Sequence, residues 1–144
     1  MLLILPLLAF FLANVASEVS KPLPKGALEA FKKANIRYTA KDKTSYYRDR
    51  MKTAWRDDLS ARALKWLQSP EKVKGGAVIN GQKSFPEAEP KQLKKKVFAL
   101  VSDLLEKYGQ EKHVKPPILY GCNGNITKGE DNSVLSVACL YIYQ

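Results

Sequence analysis

The 144-residue chain predicts an α+β fold, an α-β-α sandwich with helices packed on a small, mainly antiparallel sheet. Three stretches carry that prediction. The C-terminal run SVLSVACLYIY is apolar at odd and even positions alike, so a strand there is covered on both faces. PKQLKKKVFALVSDLLEKYG places apolar residues at helical spacing from Leu93 to Tyr108. DDLSARALKWLQ does the same with Leu59, Ala63, Trp66 and Leu67.

Taken in order, the chain opens with MLLILPLLAFFLANVAS, an apolar stretch from Leu2 to Ala13 followed by small residues. This pattern is expected of a secretory signal peptide over residues 1–17, cleaved after Ala16 or Ser17. It is shorter than the ~20 apolar residues that a bilayer span needs. Residues 18–144 are then a single secreted, extracellular domain with one core. SEVSKPLPK reads as an extended leader with two prolines, and GALEAFKKANIRYTAKDK as a helix with Leu28, Phe31, Asn35 and Tyr38 along one line. Asp57 and Asp58 suit the start of the next helix, and Ser69–Pro70 stops it. The following segment is broken by Gly75–Gly76, Asn80–Gly81, Pro86 and Pro90. Only Ala77–Asn80 reads as a short strand there, with Asn80–Gly81 as its turn. Pro90 opens the best helix and Gly109 ends it. ILYGC is then a strand, NGNITKGEDN a turn and SVLSVACLYIY the central strand.

The turn between those strands brings Cys122 and Cys139 side by side, and in an oxidising compartment they are expected to form a disulfide. A zinc site needs three or four ligands, and His113 is the one histidine available to join them. No metal or other cofactor is therefore expected. Asn125–Ile126–Thr127 is an N-glycosylation sequon placed in the turn, where a glycan at Asn125 would face solvent.

Charge narrows the partners. Twenty-four Lys and Arg stand against fourteen Asp and Glu, a formal +10, none of it in residues 1–17. A secreted cation of this kind is drawn to sulfated glycans and acidic lipid surfaces. Lys91, Lys94, Lys95 and Lys96 form the densest patch and are the candidate anion-binding residues. Lysines at a helix start oppose its dipole, so some other advantage can hold them there. Specific nucleic-acid recognition is not expected, because no zinc-finger or RNP pattern accompanies the charge. The chain lacks G-x-S-x-G, H-E-x-x-H and P-loop strings, and its carboxylates mostly neighbour Lys or Arg, so no enzyme and no catalytic residue is expected.

Two blocks resemble the CAP superfamily, or SCP domains, of secreted proteins. Met51, Trp55, Leu59, Ala63 and Trp66 look like that family's early tryptophan-containing helix. Gly121–Cys122 with Val137–Ala138–Cys139–Leu140–Tyr141 is similar to its terminal strand pair, whose cysteines bond to each other. Ala34–Asn35–Ile36–Arg37 is a weaker echo of its H-N-x-x-R motif. The resemblance implies a sandwich fold and a non-catalytic extracellular binding role, in a short and degenerate member. The two His and two Glu of the family's cleft have no counterpart in this chain, so no metal site is carried over. The alternative is a small cationic secreted effector of another lineage, antimicrobial or binding glycans or other anionic surfaces.

Overall fold

The computed structural model describes residues 20–41, 45–86 and 92–144. The expected signal segment and Lys91 lie outside them. Within them the chain forms β1 (Ser20–Pro22), α1 (Lys25–Ala40), α2 (Ser45–Thr53), α3 (Asp57–Gln68), β2 (Gly76–Pro86), α4 (Leu93–Tyr108), β3 (Ile118–Lys128) and β4 (Asn132–Tyr143). The fold is α+β. All strand pairs are antiparallel, in the order β1-β3-β4-β2, and β4 has a strand on either side.

Alternation along β4 decides the layers, because side chains of a strand point to opposite faces in turn. Leu135, Val137, Cys139 and Tyr141 enter the main core with Ala27, Phe31 and Ala34 of α1 and Val97, Val101 and Leu105 of α4. Ala138 and Leu140, pointing the other way, form a second core with Ala63 and Val73, flanked by Trp66, Leu67, Val78 and Ile142. Helices thus cover both faces, α1 and α4 on one and α3 on the other. Met51 of α2 is fully buried in the main core.

Three local expectations change. First, Asn80–Gly81 is not a turn: β2 runs eleven residues straight through it, paired with β4 from Gly76↔Ile142 to Pro86↔Asn132. The glycine serves helix packing instead, since a Cβ on Gly81 would stand 2.7 Å from a Leu104 methyl of α4. Second, β3 continues to Lys128 and the turn shrinks to Gly129–Asp131. Asn125 therefore lies inside a strand, opposite Ser136 on one side and Pro22 on the other.

Third, the stretch from Met51 to Trp66 is not one helix. Residues 54–56 leave helical geometry and lie along β3: the Tyr120 amide donates to the Ala54 carbonyl at 2.9 Å, and the Arg56 amide donates to the Tyr120 carbonyl at 2.8 Å. This uses backbone groups that β3 would otherwise leave unpaired at its edge. Immediately afterwards α3 presses on the strand. A Cβ on Gly121 would sit 2.3 Å from the Ser60 amide nitrogen, and the Ser60 hydroxyl donates to the Cys122 carbonyl at 2.7 Å.

Cys122 and Cys139 occupy opposed register positions and are joined by a disulfide, fully buried beneath α1. The Asn35 side-chain amide reaches it from above: Nδ2 donates to the Phe31 carbonyl at 2.9 Å and lies 3.7 Å from the Cys122 sulfur. Tyr141 stacks on Tyr120 at 5.9 Å, and Trp55 meets Tyr120 edge-on at 5.3 Å. Tyr120 and Tyr141 are both wholly buried. Burial raises the pKa of both phenols. For Tyr120 the Glu29 charge adds to it; for Tyr141 the Tyr120 charge adds, while the Asn35 hydrogen bond pulls the other way.

Candidate anion-binding groove

On the outer side of the main core, α1 and α4 lie against each other in the same direction. Glu29 and Lys33 of α1 face Lys94 and Lys95 of α4, and Arg37 and Lys41 further along face Phe98, Ser102 and Glu106. Same-direction packing places both helix N-termini at one end. Neither helix has an acidic residue in its first turn or a side-chain cap. The partial positive charge of two helix starts therefore adds to the lysines instead of being offset.

Phe98, half-buried, divides the groove. A cavity of about 260 Å³ lies on the side of Lys33, Lys94 and Lys95, and one of about 210 Å³ on the side of Arg37 and Ser102. The Arg37 guanidinium rests over the Phe98 ring at 5.8 Å. Glu29 lines the first cavity, but its carboxylate is held by Lys32 at 3.2 Å. The far end is closed by the Lys41–Glu106 ion pair. Lys33, Lys94 and Lys95 have no ion-pair partner among the described residues. The arrangement offers cations on both walls of an aromatic-floored trough, which suits an extended polyanion.

The sequence patch is thus only partly assembled. Lys94 and Lys95 come together and gain Lys33 and Arg37 from a helix some sixty residues earlier in the chain. Lys96 turns away and lies over Phe85 of β2 at 4.8 Å, where Lys83 joins it at 5.5 Å. The charge run in sequence could not distinguish these faces; the neighbouring elements do, α1 beside Lys94 and Lys95 and β2 beside Lys96. His113 is exposed in a turn with φ of 54°. Among the described residues no group of three His, Cys, Asp or Glu is placed to hold a metal ion.

Fold and site define a small, disulfide-linked α+β protein with a cationic groove between two parallel helices. The chain belongs to the family of 15 kDa excretory/secretory proteins, whose model matches residues 39–143. The protein is accordingly secreted. The matched span takes in all of the sheet except β1 and all of α2, α3 and α4, while Lys33 and Arg37 precede it. No match was found among curated proteins or among solved structures.

This membership corrects the CAP/SCP resemblance. The matching family is a different one, and the residues that suggested the likeness do other work here. Trp55 and Trp66, read as one helix, are separated in structure: Trp55 lies in the break that pairs with β3, and Trp66 in α3 beyond it. Trp66 is half-buried at the margin of the second core, donating its indole N–H to the Glu71 carbonyl at 2.8 Å. Asn35, read as a motif position, is a buried structural amide. Apolar residues at helical spacing mark any amphipathic helix, and facing cysteines on antiparallel strands can be bridged whatever the family. Neither separates two secreted families.

Proposed function

We propose that this secreted protein acts without catalysis, by binding a sulfated glycan along the groove between α1 and α4. The observation that carries the reading is the convergence of Lys33, Lys94 and Lys95 on one side of Phe98 and Arg37 on the other, drawn from two helices. Sulfate groups spaced along a chain match cations spaced along a trough, and each helix start adds positive potential. A lipid surface fits less well. Membrane-seeking helices present large apolar side chains outward, whereas Phe98 is half-buried and the exposed Tyr46 and Tyr143 belong to α2 and β4, not to the groove helices. The non-catalytic part of the reading draws on the titratable groups. Tyr120 and Tyr141, whose pKa values burial raises, are phenols sealed in the core, where no substrate reaches them.

Heparin chromatography tests the reading. Lys33→Ala/Lys94→Ala/Lys95→Ala should elute at markedly lower salt than wild type. Lys65→Ala/Lys72→Ala/Lys74→Ala, which removes the same charge from α3 and the loop after it, should elute close to wild type. Equal losses from the two triples would mean diffuse attraction by net charge and would refute the groove. Preferential binding of wild type to anionic vesicles over heparin would move the proposal to a membrane partner.

A further inference from the structure

The second face of the sheet is only partly covered. Helix α3 has twelve residues, about 18 Å of helix. β4 also has twelve residues, which extend to about 40 Å. However it is aligned, α3 covers less than half of that strand. Beyond its end lies a cavity of about 610 Å³, within the ~300–1,000 Å³ of small-molecule sites. Its floor is a row of polar side chains at matched register on three strands: Asn125 of β3 opposite Ser136 of β4, and Ser136 opposite Gln82 of β2. Thr127 and Ser20 extend the floor, and Trp66 stands at its margin.

No lining residue of this cavity carries a charge, in a chain with 24 Lys and Arg and 14 Asp and Glu. Neutral amides and hydroxyls beside an indole are the chemistry that receives neutral sugars, not the anions suited to the groove on the opposite face. One of the floor residues is itself a sugar acceptor. Asn125 begins the sequon Asn125–Ile126–Thr127 in a secreted protein, the setting in which such sequons are modified. Strand alternation puts Asn125 and Thr127 on the same face, toward the cavity.

We propose that Asn125 carries an N-linked glycan whose first sugars lie back on the polar shelf of Asn125, Ser136 and Gln82, with Trp66 alongside. In the transfer, the Asn125 amide nitrogen forms a bond to C1 of the first N-acetylglucosamine of a lipid-diphosphate-linked oligosaccharide. The C1–oxygen bond to the diphosphate breaks, the lipid diphosphate leaves with the electron pair, and the amide gives up one proton. The glycan then covers the part of the face that lies beyond the end of α3. This inference is independent of the anion groove, which lies on the other side of the sheet.

The test uses the full chain secreted from a eukaryotic cell. Intact mass before and after peptide-N-glycosidase treatment of the denatured protein should show one glycan, with aspartate left at position 125. Asn125→Gln should abolish it and Thr127→Ser should retain it. If neither variant is secreted, the wild-type mass and the peptide carrying the new aspartate decide occupancy. In the native glycoprotein, nuclear Overhauser contacts should link sugar protons to the Trp66 indole and the Gln82 side chain. Enzymatic release should also be about tenfold slower from the Gln82-intact protein than from Gln82→Ala, the ratio that ~1.4 kcal/mol of docking gives. An unmodified Asn125 overturns the proposal. So does a glycan whose protons contact nothing beyond Asn125 itself.

Discussion

The Tyr141 hydroxyl donates a 2.5 Å hydrogen bond to the side-chain oxygen of Asn35, tying the middle strand of the sheet to α1 where neither residue reaches water. The other end of the same amide is spent on the Phe31 carbonyl. Tyr141→Phe therefore strands a buried acceptor, which should lower stability by ~1–3 kcal/mol. Tyr120 is the contrast. Its hydroxyl is buried with no hydrogen-bond partner among the described residues, so Tyr120→Phe should be at least as stable as wild type. Urea unfolding of both variants checks the pair; a wild-type midpoint for Tyr141→Phe, or a large drop for Tyr120→Phe, refutes the assignment.

The same two phenols set an alkaline limit. Burial, the first cause in each case, raises both above the ordinary value, so the folded state keeps protons that the unfolded state releases. Their contribution is fully present below the unfolded pKa of about 10 and is lost as pH rises from there toward the folded values. Unfolding free energy should be level between about pH 8 and 9 and fall between about pH 10 and 12. The Tyr120→Phe/Tyr141→Phe double variant should show a shallower fall. Matching slopes in the two proteins would place the alkaline loss elsewhere.

The disulfide joins cysteines at a sequence separation of 17, beneath α1. Cys122→Ala/Cys139→Ala should lose about 3 kcal/mol, the loop-closure entropy of a cross-link of that size. Because both sulfurs are buried, reductant should act on the native protein only in the presence of denaturant. Alkylation followed by mass measurement checks this; rapid labelling of both cysteines in native buffer with mild reductant would contradict it.

Gly121 is where the backbone of α3 comes close against β3. An added Cβ would stand 2.3 Å from the Ser60 nitrogen and 2.7 Å from the Arg56 carbonyl, both backbone atoms that cannot swing aside. Gly121→Ala should therefore push α3 off β3 and cost ~3 kcal/mol or more, in the class of overpacked cores. Gly75→Ala is the comparison: nothing lies within 4 Å of its Cβ position, and only the φ of 66° opposes the change, at about 1–2 kcal/mol. Thermal melts that rank these two in the reverse order would contradict the contact.

Much of the layer order was legible in one strand. The alternation of Val134 to Tyr143 assigned Leu135, Val137, Cys139 and Tyr141 to one face and Ala138, Leu140 and Ile142 to the other, and the two cores divide along that line. The stripes of Leu59–Ala63–Trp66 and Leu93–Tyr108 marked two of the covering helices in the same way. Periodicity exposes such features because burial on a repeating backbone must repeat with it.

The sequence by itself therefore determined that the C-terminal strand is covered on both faces, that Leu59–Trp66 and Leu93–Tyr108 are helical stripes, that the cysteines would meet, and that the chain is strongly cationic. It did not show α2 or that β3 is an inner strand too. Tertiary structure alone decided the rest. Asn80–Gly81 looks like a turn until Leu104 of α4 is found lying on it, and Asn125 looks like a turn residue until Pro22 and Ser136 are found on either side. Lys94 and Lys95 became one wall of a groove only when α1 supplied Lys33 and Arg37. A local pattern reports the preferences of its own residues, whereas close approach, pairing and charge convergence depend on atoms brought in from distant parts of the chain.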